Sequence, residues 1–266
     1  TPQATVCGQS TDIFTISGTP APAGMTGTWT ASSGRINFGN VNLANTTITN
    51  LPFGTHTITW TVTNGTCPSS TANFNITLQS IPTTSAGMND IICGTTTVLN
   101  ADDLDIASGE TGVWTVEAGT GVFVDATDPK SGVSGLTASA TNRFRWTVSK
   151  PGCTAVSAIV DIQTVEEPTT DAGMDDVVCG TTTTLDADNL NLGNSETGVW
   201  TVEAGTGTFA DDTDPKSGVI GLTADAVNTF RWTVTRPNCP PVSDVVNIET
   251  LLAPTADAGS PQTICG

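Results

Sequence analysis

Seven cysteines are the most reactive side chains of this 266-residue sequence, and their spacing is regular. Cys7, Cys67, Cys93, Cys153, Cys179, Cys239 and Cys265 are separated alternately by 60 and 26 residues. Thiols at fixed intervals point to disulfide or metal chemistry. A zinc site does not fit, because there is no Cys-x-x-Cys and His56 is the single histidine. A tandem repeat in which each unit closes its own bridge predicts Cys7–Cys67, Cys93–Cys153 and Cys179–Cys239, with Cys265 unpaired in this segment. In the chain-entropy account, closing a loop of about 60 residues stabilises each unit by roughly 4 kcal/mol. Such bridges persist in oxidising surroundings, so the sequence reads as extracellular, secreted or attached to a cell surface.

The remaining chemistry is oxygen chemistry. Asp211, Asp212 and Asp214 could supply the two carboxylates a glycosidase needs, but they adjoin Pro215, Lys216, Ser217 and Gly218 in what reads as a turn. His56 stands where the later repeats have Asn142 and Asn228, which suggests a polar strand end rather than a general base. No catalytic residue and no organic cofactor is therefore predicted, and the chain does not read as an enzyme. Calcium is the one candidate ion, through Asp171, Asp175 and Asp176 or through Asp102, Asp103 and Asp105. The third repeat replaces the latter set with Asp188, Asn189 and Asn191, and solvated acidic turns are the alternative reading. Asn45, Asn64 and Asn75 open Asn-x-Ser/Thr triplets, which are glycosylation candidates in a eukaryotic secreted protein. Six tryptophans without a tyrosine suggest sugar-stacking platforms, yet Trp200 shares strand parity with Val202 and Trp232 with Phe230, which argues for core.

The elements that carry these residues recur every 86 positions. Trp60, Trp146 and Trp232 each lie in a stretch of alternating apolar and polar residues, such as Thr229-Phe230-Arg231-Trp232-Thr233-Val234, that leads to a cysteine. A period of two with aromatic and β-branched residues marks a strand with one face in a core. In the third repeat, strands are predicted at 181–187, 198–203, 207–210, 218–222, 227–235 and 242–250, with a leading strand before Cys179. Seven short strands with turn signals between them predict an all-β fold of three tandem immunoglobulin-like antiparallel β-sandwiches. Trp29, Trp114 and Trp200 occupy the place where such sandwiches bury a tryptophan. Counted from Cys93 and Cys179, the second and third repeats agree at 53 of 86 positions without a gap, while the first diverges.

Pro82, Pro168 and Pro254 open equivalent segments that end in Gly87, Gly173 and Gly259, and these read as short stiff linkers. The predicted domains are 1–81, 82–167 and 168–253, with 254–266 the leading strand of a further domain. They are expected to form an extended rod at about 35–45 Å each, since strands of ~8 residues span ~26 Å. The net charge of −18 disfavours nucleic acid and anionic membranes as partners, and no apolar run approaches a membrane span. No basic, apolar leader is visible either. The charge divides as −1 over residues 7–92, −9 over 93–178 and −8 over 179–264.

The segment Pro254-Thr255-Ala256-Asp257-Ala258-Gly259, with Thr184-Leu185-Asp186-Ala187 downstream of the preceding linker, resembles the opening of polycystic-kidney-disease-type (PKD-like) immunoglobulin repeats. The ending Trp232-Thr233-Val234-Thr235 followed by Cys239 is similar to repeats of very large Bacteroidota surface adhesins associated with gliding and type IX secretion. Trp200-Thr201-Val202-Glu203-Ala204-Gly205 departs from the Trp-Asp-Phe-Gly-Asp-Gly-like turn of that family. The resemblance implies a non-enzymatic stalk of a surface adhesin or fibre, whose partners are neighbouring domains or subunits of the array, surface glycans or other cells. Two further readings are a filament subunit joined by donation of residues 254–264 to another sheet edge, and a glycan-binding module. In the longer-array reading, the partner of Cys265 lies about 60 residues further on.

Overall fold

The structure, a computed structural model, describes residues 3–260. It is all-β, with three immunoglobulin-like sandwiches of seven strands each. The first holds β1 (Gln3–Cys7), β2 (Phe14–Ser17), β3 (Thr26–Ala31), β4 (Asn37–Phe38), β5 (Asn45–Thr49), β6 (Gly54–Thr63) and β7 (Ser70–Gln79). The second holds β8 (Asp90–Cys93), β9 (Thr97–Val98), β10 (Thr111–Ala118), β11 (Val122–Phe123), β12 (Gly132–Ser134), β13 (Thr141–Ser149) and β14 (Val156–Val165). The third holds β15 (Asp176–Cys179), β16 (Thr182–Thr184), β17 (Thr197–Ala204), β18 (Thr208–Phe209), β19 (Gly218–Ile220), β20 (Val227–Thr235) and β21 (Val242–Leu251). Each sandwich pairs a four-stranded sheet, β1-β7-β6-β3 in the first, with a three-stranded one, β2-β5-β4. The third repeats this order as β15-β21-β20-β17 and β16-β19-β18.

Contacts divide the chain into two compact units. One comprises the residues up to Asp90 with Thr96–Thr137 and Thr141–Ile162, and the other Ile91–Thr95, Ala138–Ala140 and the residues from Gln163 onward.

Strand parity builds the core. Along β20, Asn228, Phe230, Trp232 and Val234 are buried while their neighbours face outward. Burying a side chain such as Phe230, fully enclosed here, contributes about 1.5–3 kcal/mol. Trp200 of β17 is the register partner of Trp232, with ring centroids 5.0 Å apart at 41°. Gly198, two residues earlier, leaves room for that indole, because a Cβ there would stand 2.2 Å from Trp232 Cζ2. The six tryptophans are 0–5% exposed, so they are core, as their parity predicts.

Two features differ from the expectation of simple antiparallel sheets. β1 runs parallel to β7 and β15 parallel to β21, each beginning opposite the middle of the last strand, at Asn75 and Ile248, and ending where that strand ends. The linker is also not outside the fold: Ala86 and Ala172, at 2% and 0% exposure, belong to the cores of the sandwiches they introduce.

Candidate functional site: the staggered disulfides

The parallel leading strand decides where the cysteines stand. Cys7 ends β1 opposite Gln79, and Leu78 beside it pairs with Gly54 at the beginning of β6. Cys67 lies beyond the far end of the same ten-residue β6. The two are therefore separated by the length of the strand, about 33 Å, whereas a disulfide requires Cα atoms within about 7 Å. The predicted bridges Cys7–Cys67, Cys93–Cys153 and Cys179–Cys239 do not form, nor does each sandwich have its own. The bonds are instead Cys7–Cys153 and Cys93–Cys239, each with Cα atoms 4.9 Å apart and 146 residues of sequence between partners. The cysteine that opens one repeat is joined to the cysteine that closes the next. Cys67 and Cys179 are free and exposed. Cys265 falls outside the described residues.

Each bridge stands beside a buried cation. Lys150 follows β13, and its side chain is 2% exposed, with Nζ 3.3 Å from Ser80 Oγ and 3.5 Å from Glu110 Oε1. Ser80 follows β7 of the preceding repeat, so this lysine ties the first sandwich to the second beside Cys7–Cys153. Gly152 permits the approach: its φ is 74°, and a Cβ there would stand 2.9 Å from the Thr5 carbonyl oxygen. Arg236 is the equivalent beside Cys93–Cys239. Its Nη2 donates to Glu196 Oε1 at 2.7 Å, and its Nη1 donates to the Glu166 carbonyl oxygen. Arg236 and Glu196 are each 7% exposed, which makes this a desolvated ion pair. The second carboxylate oxygens are used as well, Glu110 Oε2 accepting from Asp105 N at 2.9 Å and Glu196 Oε2 from Asn191 N at 2.6 Å. In the first sandwich Asn64 stands in this position and accepts from the backbone N–H groups of Thr66 and Cys67.

A second feature distinguishes the first sandwich. An open apolar groove of about 1260 Å³ lies between its sheets, lined among others by Val6, Phe14, Met25, Trp29, Trp60 and Phe74. In the later sandwiches the linker alanine lies in the core. The backbone N–H of Ala172 donates to Asp244 Oδ2 at 2.9 Å, and Ala72 of the groove is the residue equivalent to Asp244. Gly87 and Gly173, both with φ 89°, bring the linker against the Asn100 and Asp186 carbonyls, where a Cβ would stand 2.7 and 2.8 Å away.

The acidic candidates do not converge. Asp171 Oδ1 accepts from Gly173 N, Asp176 Oδ1 from Val177 N, and Asp175 holds Asn247 through its backbone N–H at 2.8 Å and its Nδ2 at 3.2 Å. Those hydrogen bonds, the backbone one first, hold the Asp175 carboxyl below the usual carboxylate range. Asp103 pairs with Lys130 at 2.8 Å, and Asp105 caps a 3-10 turn by accepting from Ser108 N. Asp102 gives its backbone N–H to the Ser85 carbonyl. Among the described residues no three His, Cys, Asp or Glu side chains are placed to hold a metal, so the calcium sets are separate turn and strand contacts. Asp211 accepts from the hydroxyl and N–H of Thr213, which lowers its pKa, and Asp214 accepts from Lys216 N.

His56 Nε2 lies 3.1 Å from the Pro52 carbonyl oxygen. Its equivalent Asn228 is fully buried and clamps two turns, accepting from Thr206 N at 3.1 Å and Thr223 N at 2.9 Å. Of the glycosylation candidates, Asn45 accepts from Ser17 Oγ, Asn75 from Thr57 Oγ1, and Asn64 caps its turn. Sequence reasoning missed the buried cations. The available signal was a Lys or Arg three residues before the closing cysteine and a glutamate 40 residues before that cation, in the second and third repeats alone.

No family model and no curated protein matches the chain. Among solved structures it is similar to the N-terminal eight Ig domains of Down Syndrome Cell Adhesion Molecule, with TM-score 0.43, 11% identity, 94% of this chain and 36% of that one. It is similar to extracellular domains 3–5 of Drosophila OTK, with TM-score 0.38, 9% identity, 94% of this chain and 95% of that one. It is similar to the human desmocollin-1 ectodomain, with TM-score 0.33 and 10% identity over all of this chain, which spans 63% of that ectodomain. At these scores the sandwich fold stands on the strand order itself. No helix among the described residues is long and apolar enough to cross a membrane.

Proposed function

We propose that the chain is a non-enzymatic spacer of an extracellular array, of the kind its resemblance to PKD-like repeats of bacterial surface adhesins implies, with domains at 1–81, 82–167 and 168–253 and a further one opening at 254. The observation that carries this reading is the stagger of the disulfides. A bridge from the start of one repeat to the close of the next does nothing for either core, but it restricts how two neighbours move. The linker alanines support the same reading, since Ala86 and Ala172 are anchored in the core of the repeat that follows them and leave little free chain at the joint. The tryptophans serve these cores rather than a sugar-stacking surface. Holding a binding tip or neighbouring subunit at a distance is the resulting activity.

Small-angle scattering tests the proposal. The oxidised chain is expected to show a maximum dimension of about 105–135 Å, from roughly 35–45 Å for each of three repeats. A compact globule, or a distribution that does not broaden on reduction, would sink the spacer reading.

A further inference from the structure

We infer that the two staggered bridges couple the three sandwiches in parallel under tension, so that none is pulled open unless all three give way. The connectivity carries the inference. Cys7–Cys153 and Cys93–Cys239 define two covalent junctions, and three stretches of chain run between them. Residues 7–93 take in the first sandwich, residues 93–153 the body of the second, and residues 153–239 pass along β14 into the third. Separating the junctions lengthens all three stretches at once. The stretches outside the junctions open nothing when pulled, because β1 leads directly into Cys7 and β21 follows directly on Cys239. A pull on either end of the chain therefore reaches a junction along one strand, without passing through the rest of the sandwich to which that strand belongs.

The folded chain leaves little slack between the junctions. In the first stretch Cys7 is the register partner of Gln79, so while β1 and β7 stay paired only residues 80–92 are free to span the gap. Fully extended they reach about 46–50 Å, against roughly 35–45 Å for one repeat. In the third stretch Glu166 is held beside Cys239, its carbonyl oxygen 3.5 Å from Cys239 Sγ and accepting from Arg236 Nη1. Residues 154–165 then reach about 43–47 Å. A separation beyond about 50 Å has to strip β1 from β7, open the second sandwich and drag the second linker out of the third, all together. Each sandwich then bears about a third of the pull, and because forced unfolding is governed by the unfolding rate, which rises steeply with force, sharing suppresses it. In the reduced chain the three stand in series and each bears the whole pull. For a spacer held at both ends, bearing tension becomes part of the activity; that role rests on the spacer reading, while the coupling rests on the bonds alone.

The experiment stretches single molecules of the full 266-residue chain by handles at its two ends, with Cys67→Ser, Cys179→Ser and Cys265→Ser throughout so that no other thiol reacts. Fully reduced, the chain is expected to unfold in three steps and to reach about 950 Å. With Cys7→Ser/Cys153→Ser, which leaves Cys93–Cys239, it should unfold in one step, the first sandwich, because the other two lie inside the closed loop. With Cys93→Ser/Cys239→Ser, which leaves Cys7–Cys153, the one step should be the third sandwich. Either variant should stop at about 430 Å. With both bridges, no step is expected at the force that opens the single-bridge variants. At higher force the doubly bridged chain should stop near ~330 Å, because residues 93–153 are the shortest route between the junctions. Near-UV circular dichroism of each variant verifies that the sandwiches are folded beforehand. A step in the doubly bridged chain at the single-bridge force would overturn the inference. So would two steps in either single-bridge variant, the count that bridges closed within repeats would give. The step counts of three, one and none in a chain that scattering finds compact would count against the spacer reading alone and leave the coupling standing.

Discussion

Arg236 Nη2 lies 2.7 Å from Glu196 Oε1, with both side chains 7% exposed, while the other guanidinium arm holds the Glu166 carbonyl beside Cys93–Cys239. Removing one partner strands the other's charge in a desolvated site. Arg236→Met should therefore destabilise the third sandwich by about 3–5 kcal/mol. Denaturant unfolding followed by tryptophan fluorescence measures this, and the double variant Arg236→Met/Glu196→Leu should recover most of the loss.

Reduction should leave the cores standing. Both bridges run between repeats and neither crosses a sandwich. Mild reductant is expected to preserve the near-UV signal of the buried tryptophans while releasing two new thiol pairs to a thiol-counting reagent. Collapse of that signal on reduction would show that the sandwiches depend on the bridges.

Gly198 and Gly218 offer a matched pair of substitutions. A Cβ at Gly198 meets Trp232 at 2.2 Å, whereas one at Gly218 comes no closer than 3.9 Å to Ala210 Cβ. Gly198→Ala should cost about 1–3 kcal/mol through overpacking, and Gly218→Ala should be near neutral. Thermal melts of the two variants compare them directly.

The pH dependence has a definite sign. The Arg143 guanidinium lowers the pKa of Asp161, the Thr127 and Thr213 hydroxyls and backbone N–H groups lower those of Asp125 and Asp211, and Arg231 lowers that of Glu203. Each folded-state pKa lies below its unfolded value, so the unfolded state takes up protons first as pH falls. Their contribution is complete above the ordinary carboxylate range of about 4 and is lost as pH drops below it. These groups are solvent-exposed, so each effect is small. A melting temperature that is flat from neutrality to mild acid and falls below that range is expected, with a shallower fall in Asp211→Asn.

Calcium should be without effect. Because the acidic candidates sit in separate turns and strands, adding calcium or a chelator is expected to leave the melting curve unchanged. A calcium-dependent rise would require a ligand set other than Asp171, Asp175 and Asp176.

Much of this fold follows from local chemistry. The alternation in Thr229–Thr235 makes a strand whatever surrounds it, so β20 begins at Val227 and ends at Thr235 as its periodicity implies. Trp200 and Trp232 had only one face of their strands to occupy, which put them in the core. The acidic turn at Asp211 and the linker glycines are likewise set by short-range hydrogen bonds and backbone conformation.

The cysteine partners were a different kind of question. Periodicity relates Cys7 to Cys93 and Cys67 to Cys153, but pairing depends on which ends of the strands meet. That depends on β1 lying parallel to β7, a long-range choice with no signature in a five-residue strand. The parallel register sends Cys7 to the opposite end of the sandwich from Cys67, where Cys153 of the next repeat comes within bonding distance. The buried Lys150 and Arg236 were hidden for the same reason. A cation beside a proline in a turn reads as solvated until a neighbouring repeat closes over it, and burial of that kind is decided by tertiary packing alone.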